Sequence, residues 1–572
     1  GVQVDTSSVR VYETDYAAHV LGYTGSIQDW DDYKDKDGYT LASTVGISGV
    51  ENAFEDYLHG SDGKRLVTLN ESGKITGELY SVEPKPGSTV ALTIDIDFQA
   101  QVEEALKNTV SSMTKSDGID RGAAVAVVQV GTGDVLALAS YPTYSLSTFR
   151  DEIAALTSDT MQPMWNRATQ GKYAPGSTLK PLTAIAALES GATTVREKIY
   201  DSGKWTYPGY SASYTYCWKR SGHGSLNVRG AIMNSCNYYF AEMGYRMGMD
   251  TLRKYYADFG LGSPTGIEIG DAAGRLPSQN EGENLAPWAA FGQANQLYTP
   301  LQLANYIATL SGGGDRYTTH LLKNVRESGT GALEYVYDAE PVQTIAMSEE
   351  NLSAVLAGMH DLATDGAVSS YFKDCIVDAA AKTGTAQITD ARSREGRYYL
   401  GSMVAYFPAD NPRYTVLTTI ETRAQPGKAY YGGPLAGPVV KRMVDYIYNR
   451  NRDWYGRVER HGGRCYPGHV KGGDIAQIRR VADKFSPRAS FDQRTGWGRA
   501  RVDSLSNVII TSLPPETGTM PDVRGMGLKD ALFVLESRGL KVRFSGAGAV
   551  TQQSIPAGAR ITPGSTVGIT LK

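Results

Sequence analysis

Cysteine is scarce in this sequence. Its four cysteines, Cys217, Cys236, Cys375 and Cys465, are widely scattered and no two form a CxxC pair, which argues against a zinc ribbon. So few thiols neither demand nor rule out an oxidising compartment. The segment HGGRCYPGH brings His461, Cys465 and His469 together in the chain, but its Gly and Pro residues make it a loop. No metal site and no cofactor are expected. Excess positive charge is also missing. The formal net charge is −4, and no basic patch interleaved with aromatics appears, so nucleic acid is not an expected partner. Long apolar runs are absent as well. Stretches such as GAAVAVVQV are far too short to cross a bilayer, and no signal peptide is visible. The chain starts with Gly, which fits a fragment whose targeting segment and membrane anchor lie upstream.

What is present fits a soluble, multidomain protein. At 572 residues the chain exceeds what one core accommodates, so two to four domains are expected. Residues 1–85 are polar and turn-rich, with a helical stretch in GISGVENAFEDYLHG that places Val50, Phe54 and Leu58 on one face. VEPKPGS marks a boundary, and residues 86–449 read as one α+β domain. In it, a β-branched strand and a long amphipathic helix lead into AAVAVVQVGTGDVLALASYP, two strands around a Gly-rich turn. Helices dominate from 177 to about 365, strands return at 378–388, 400–407 and 413–421, and a helix follows at 434–449. Strands at both ends with helices between them imply one antiparallel sheet, flanked by helices, shared by the two ends. Residues 450–519 look like an irregular linker, and 520–572 like a small module with one helix and short strands.

The stretch YAPGSTLKPLTAIAAL admits three readings. A phosphate loop would need lysine where Ser177 stands, so the charge that grips phosphate is missing. An ordinary capped helix would use Ser177 as cap and bury Leu179, Leu182, Ile185 and Leu188. In the third reading Ser177 is a nucleophile. Lys180, three residues on, shares its helical face and reaches Oγ to remove a proton that serine does not lose unaided. Backbone N–H groups at the helix start favour the negative charge that then develops. This third reading requires an uncharged Lys180, hence burial or a neighbouring cation.

Two further stretches shift the balance. MNSCNYYF supplies Ser235-Cys236-Asn237, and AAAKTGTAQ supplies Lys382-Thr383-Gly384-Thr385. Each is weak alone, but three such motifs in this order form a strong combined signal. The sequence here resembles the penicillin-binding proteins and serine β-lactamases, and PGSTLKP with its distant KTGTAQ is similar to the class B, monofunctional transpeptidase branch. GISGVENAFEDYLHG resembles the N-terminal pedestal of that branch, STVALTIDIDFQAQVEEAL the opening of its transpeptidase domain, and FGQANQLYTPLQLA a further segment of it. The tail from MPDVRGMGLKDALFVLESRGL onward resembles a single PASTA module. The implied fold is a penicillin-binding transpeptidase domain with an N-terminal pedestal and a small α/β PASTA-like module.

The resemblance implies that Ser177 attacks the penultimate D-Ala carbonyl of a peptidoglycan stem peptide, with Lys180 as general base. It implies that Ser235 relays a proton to the leaving D-Ala with help from Lys382, and that Asn237 holds the substrate amide and Lys180. Thr383 and Thr385 would bind the substrate carboxylate, and the backbone N–H groups of Ser177 and Thr385 would form the oxyanion hole. Removing one such donor typically costs ~3 kcal/mol. Gly384 is read as keeping the strand open to an extended peptide, and Cys236 as a small packing residue with no histidine near it. An amine from a neighbouring stem peptide would resolve the acyl-enzyme. β-Lactams are the expected inhibitors, membrane-embedded cell-wall synthesis proteins the expected partners, and the outer face of the cytoplasmic membrane the expected place. The PASTA-like tail points towards division. A D,D-carboxypeptidase differs only in using water as acceptor. A β-lactamase lacks support, because no Glu-x-x-Leu-Asn lies between Ser235 and Lys382. A penicillin sensor would lack the pedestal, and a pure scaffold would have no need of Ser177 or Lys382.

Overall fold

The computed structural model describes residues 10–36, 38–279, 284–388, 397–450, 471–485, 489–502, 508–513 and 518–572. The chain divides into two compact units, 1–452 and 453–572. His461, Cys465 and His469 lie outside the described residues.

The first unit is built on a five-stranded sheet. Its spatial order is Ala380–Ile388, Tyr398–Phe407, Tyr414–Arg423, Ala123–Gln129 and Val135–Tyr141. Every neighbouring pair is antiparallel. The early hairpin and the late strands thus share one sheet, as the sequence implies. Its central strands are buried along almost their whole length, which is why AAVAVVQ and YTVLTTIETR show little polar alternation. Alternate residues Ala124, Ala126 and Val128 join Val404, Tyr406 and Leu417 in a core with Leu179, Leu182 and Leu301. On Tyr398–Phe407, a Cβ at Gly401 would sit 2.5 Å from Leu435 Cδ1, so glycine lets the helix Gly432–Arg450 lie directly on the strand.

Helix ends follow their local chemistry. The Asp95 side chain accepts from Phe98 N–H to start Ile96–Asp117, and Gly118, at φ 71°, ends it in the left-handed conformation. Pro300–Ser311, buried at all twelve positions, begins with a reciprocal cap between Thr299 and Gln302. In the pedestal, Val50 and Phe54 face inward as their spacing predicts and join the main core. A two-stranded hairpin, Lys64–Leu69 with Ile75–Val82, also forms there, which the turn-rich composition did not reveal.

The second unit departs from expectation. Where an irregular linker was expected over 450–519, a helix Ile475–Phe485 is followed by strands Ala489–Phe491, Trp497–Val502 and Val508–Ser512. The first of these strands is parallel to the third and the second antiparallel to it. The tail repeats that plan: helix Leu528–Glu536, then Lys541–Ser545 parallel and Val550–Gln553 antiparallel to Thr566–Leu571. The described residues of 471–513 thus hold a second helix-and-sheet module that shares this three-strand pairing and adds a short strand, Gly473–Asp474, antiparallel to Trp497–Val502. Its core is small, with Ile475, Ala500, Val508 and Ile510 at its centre. So few apolar positions leave little periodic signal among the Arg and Gly residues.

Candidate active site

Ser177 sits on a tight turn rather than deep in a helix. Gly176–Leu179 form one 3-10 turn, and the buried helix Lys180–Glu189 continues from it. Gly176 adopts φ +55°, and a Cβ there would lie 3.1 Å from Thr385 O. Thr178 Oγ1 donates to Pro175 O at 2.7 Å, and Tyr306 OH donates to Thr178 O, which fixes the turn from both sides. Thr178, Leu179 and Lys180 are buried while Ser177 is partly exposed. Its Oγ has no hydrogen-bond partner among the described residues. The capped-helix reading is half right: the helix exists and Leu179, Leu182, Ile185 and Leu188 are buried, but the Ser177 side chain caps nothing.

The two lysines converge beneath this turn. Lys180 Nζ donates to Ser235 O and to Asn237 Oδ1, each at 2.7 Å, and lies 3.2 Å from Ser235 Oγ. Lys382 Nζ lies 2.9 Å from the same Oγ and donates to Thr383 O at 3.0 Å. Both amines are fully buried. Burial pulls the Lys180 amine down from its ordinary 10.5 to about 8. Lys382 is pulled well below its ordinary value, first by burial and then by the charge of Lys180. Ser235, held at φ +49°, is one of the few non-glycine residues of the described chain in the left-handed region. That backbone turn aims its hydroxyl at both lysines while Asn237 opens the helix Asn237–Asp258.

The strand carrying Lys382 runs past the serine turn. Lys382, Gly384 and Ala386 are buried, whereas Thr383 and Thr385 are partly exposed, as a period of two requires. Thr385 Oγ1 accepts from Gly432 N–H at 3.2 Å, so its own proton remains to donate. Gly384 carries a packing constraint that the sequence does not show. A Cβ there would stand 2.9 Å from Thr178 Cγ2 and 3.0 Å from Pro175 O. The glycine is therefore needed for the serine turn to pack against this strand. Gln293, in FGQANQ, went unassigned in the sequence. Its Nε2 donates to Thr385 O at 3.3 Å, and Gly292 leaves room for the backbone of Gly176. Cys236 is buried in the main core, as a packing residue would be, but it has polar neighbours and a histidine that the sequence does not show. Its thiol is 3.2 Å from Asp201 Oδ2 and 3.9 Å from Cys217 Sγ, and His223 lies within the same cluster. Among the described residues, these four could hold a metal.

Residues 123–445 match the model of the penicillin-binding protein transpeptidase domain. The chain belongs to the penicillin-binding proteins. Residues 1–92 match the penicillin-binding protein dimerisation domain, and 518–572 match the PASTA domain. The chain is 31% identical to the peptidoglycan D,D-transpeptidase MrdA of Escherichia coli K12, over 78% of its own length and 72% of the relative's. Its fold matches PBP2 of Pseudomonas aeruginosa, solved in complex with WCK 5153, with a TM-score of 0.63 at 28% identity, covering 78% of this chain and 92% of that one. A chain in a peptidoglycan synthase complex that coordinates polymerization and crosslinking gives the same TM-score of 0.63 at 28% identity, covering 77% and 76%. This penicillin-binding protein is of class B, its transpeptidase domain preceded by a dimerisation-domain pedestal. No helix among its described residues is long and apolar enough to cross a membrane.

Proposed function

We propose that this protein is a serine D,D-transpeptidase that cross-links peptidoglycan stem peptides through an acyl-enzyme on Ser177. The observation that carries the reading is the convergence of two buried lysines on Ser235 Oγ, one of them three residues after a partly exposed serine whose hydroxyl has no partner among the described residues.

The amine geometry accounts for the base. A neutral Lys180 has two protons, which serve Ser235 O and Asn237 Oδ1, and one lone pair, which stays available to a hydroxyl. It takes the Ser177 proton as Oγ attacks the penultimate D-Ala carbonyl. The backbone N–H groups of residues 177 and 385, brought together by the Gly176–Thr385 approach, receive the oxyanion. Ser235, in contact with both amines, passes the proton to the leaving D-Ala, and the charge near Lys382 steadies that transfer. Thr383 and Thr385 take the terminal carboxylate, and Asn237 the substrate amide. An acceptor amine then attacks the acyl-enzyme and is deprotonated along the same route. β-Lactams acylate Ser177 and form a long-lived adduct there. The role belongs outside the cytoplasmic membrane, in wall synthesis, alongside membrane-embedded partners of that machinery.

Transpeptidation and carboxypeptidation part at the second step. Purified protein given a D-Ala-D-Ala stem peptide and an amine acceptor is expected to yield cross-linked dimer, read by mass spectrometry. Trimmed monomer alone, with no dimer at any acceptor concentration, would move the assignment to a carboxypeptidase.

Acylation also carries a pH signature. Lys180 acts as a base only when unprotonated, and its value is lowered to about 8. The second-order rate of labelling by a fluorescent penicillin is therefore expected to rise with pH through about 8 and level off above it. A rate that falls over that range would contradict a neutral Lys180.

A further inference from the structure

Beside Asn237 the chain raises a short hairpin that the acylation chemistry does not use. Lys204–Thr206 pairs antiparallel with Tyr214–Tyr216, and residues 207–213 connect them. One face of it is packed: Trp205 is buried, and its Nε1–H donates to Glu242 Oε2 at 2.9 Å. The other face carries Lys204, Thr206, Tyr214 and Tyr216, all exposed, as a period of two requires. Tyr210 stands on the connecting turn and is 69% exposed. We infer that this face is a further subsite for the peptidoglycan strand, where Lys204 and Arg220 hold carboxylates of the stem peptide and Tyr210 stacks on a sugar ring of the attached glycan.

Charge complementarity is the first argument. The whole chain has a net charge of −4, yet residues 202–241 contain Lys204, Lys219, Arg220 and Arg229 and no acid. Arg229 is paired with Asp361 at 2.6 Å. Lys204, Lys219 and Arg220 are exposed and make no ion pair among the described residues. Two of them are held by rings instead of acids. Lys204 Nζ lies 4.0 Å from the Tyr214 ring centre, and Arg220 Cζ lies 3.9 Å from that of Tyr216. A cation placed this way keeps its N–H donors for an incoming anion and loses little side-chain freedom on binding it. A stem peptide offers such anions, since its acidic residues leave carboxylates along its length besides the terminal one.

The rings favour sugar over a protein partner. Residues 202–225 include Tyr207, Tyr210, Tyr214, Tyr216 and Trp218 but no Leu, Ile, Val or Met. A protein-docking face fills its apolar core with aliphatic as well as aromatic side chains, and those are missing here. A pyranose ring needs only a flat, electron-rich surface. Its C–H groups carry partial positive charge, because each carbon bears an oxygen, and they are drawn to the negative face of an aromatic ring. Tyr210 is braced for that contact. Its N–H donates to Tyr207 O at 3.0 Å, and its ring meets that of Tyr207 edge to face at 5.7 Å. Tyr207 in turn meets Tyr245, on the helix Asn237–Asp258, in the same way at 5.2 Å.

The hairpin also begins at the reacting centre and reaches the right distance from it. Asn237, to which the substrate amide is assigned, donates Nδ2–H to Tyr216 O at 3.4 Å, and Trp218 donates Nε1–H to Asn234 O at 2.9 Å. The strand therefore departs from the Ser235–Asn237 turn. At about 3.3 Å per residue it covers about 10 Å from Tyr216 to Ser213, and Tyr210 lies beyond. The stem between the scissile bond and the sugar is about four residues long, or about 13 Å when extended. The two lengths match, so the stem carboxylates meet Lys204 and Arg220 and the sugar meets the tip. This rests on the reading of Ser177 as the residue acylated by a stem peptide, and names the part of that substrate lying beyond the reacting bond.

The Ser177→Ala protein binds substrate without consuming it and serves for titration. A disaccharide-pentapeptide is expected to bind it on the order of tenfold more tightly than the same pentapeptide without sugar, and amidating the non-terminal carboxylates should weaken binding on the order of tenfold. Added on that background, Tyr210→Ala should bring the first two ligands to equal affinity. Lys204→Gln with Arg220→Gln should remove the preference for free over amidated carboxylates and flatten the salt dependence. Equal affinity for all three ligands in the parent protein overturns the inference, and this comparison decides even if a variant does not fold. Preferences that survive the substitutions overturn it too. So does a loss confined to association with another wall-synthesis protein, which would make the hairpin a protein-docking face. A stemless chain of the same sugars gives a reading independent of Ser177: it should bind the wild type and lose that binding with Tyr210→Ala. If it does so while fluorescent penicillin fails to label the wild type, the transpeptidase reading falls and the sugar site stands. Labelling without any sugar preference overturns the sugar site and leaves the transpeptidase reading in place.

Discussion

Ser177→Ala is expected to abolish covalent labelling by penicillin and to reduce cross-linking turnover on the order of a million-fold, the scale seen when a serine hydrolase loses its nucleophile. Alanine keeps the backbone N–H at 177, so the oxyanion donor survives and only the attacking atom is removed. Thr383 and Thr385 are untouched, and non-covalent affinity for a stem peptide should stay close to that of the wild type. Ser177 is partly exposed and its Oγ has no partner among the described residues, so stability should move by less than about 0.5 kcal/mol. Gel fluorescence for the adduct, titration for binding and a thermal melt for the fold separate the three quantities. A variant that still forms a stable adduct would place the nucleophile elsewhere. The lifetime of the wild-type adduct carries separate information: persistence over hours fits a transpeptidase, and release within seconds fits a β-lactamase.

Much of this architecture was legible because its signals are local. The strands Ala123–Gln129 and Val135–Tyr141 are apolar runs around a Gly-rich turn, and the motifs at Ser177, Ser235 and Lys382 are contiguous. What the sequence could not show depends on atoms distant along the chain. Nothing in KTGTAQ reveals that Thr178 packs against Gly384. The histidine and carboxylate beside Cys236 were invisible because Asp201, Cys217 and His223 come from separate stretches of the chain. The pedestal hairpin escaped notice for another reason. Leu66, Leu69, Ile75 and Leu79 are all more than half exposed, so burial imposes no clean alternation of apolar and polar residues. In the module at 471–513 a core centred on four residues is too small to outweigh the surrounding Arg and Gly.

Lys180→Met tests the other half of the chemistry. Methionine fits the buried space left by lysine but offers neither lone pair nor proton. Acylation by penicillin is expected to fall by about 10²–10⁴, the usual contribution of a positioned general base. The pH dependence should change with it: the rise through about 8 belongs to the Lys180 amine, so the residual rate should be flat across that range. Lys382 is the obvious substitute base, since it touches the same Ser235 Oγ. The electrostatics argue against it. The charge of Lys180 is one of the two causes holding the Lys382 amine below its ordinary value. Removing Lys180 relieves that repulsion and makes Lys382 more basic, hence more often protonated and less able to accept a proton. The substitution also leaves Ser235 O and Asn237 Oδ1 without the donor that satisfied them, at a cost of about 1–3 kcal/mol for each that water does not reach. Melting curves therefore belong beside the rates, and the pH profile is the decisive measurement, because lost stability lowers the amount of active protein without flattening its pH response. A Lys180→Met protein that keeps the rise through about 8 would show that another group is the base.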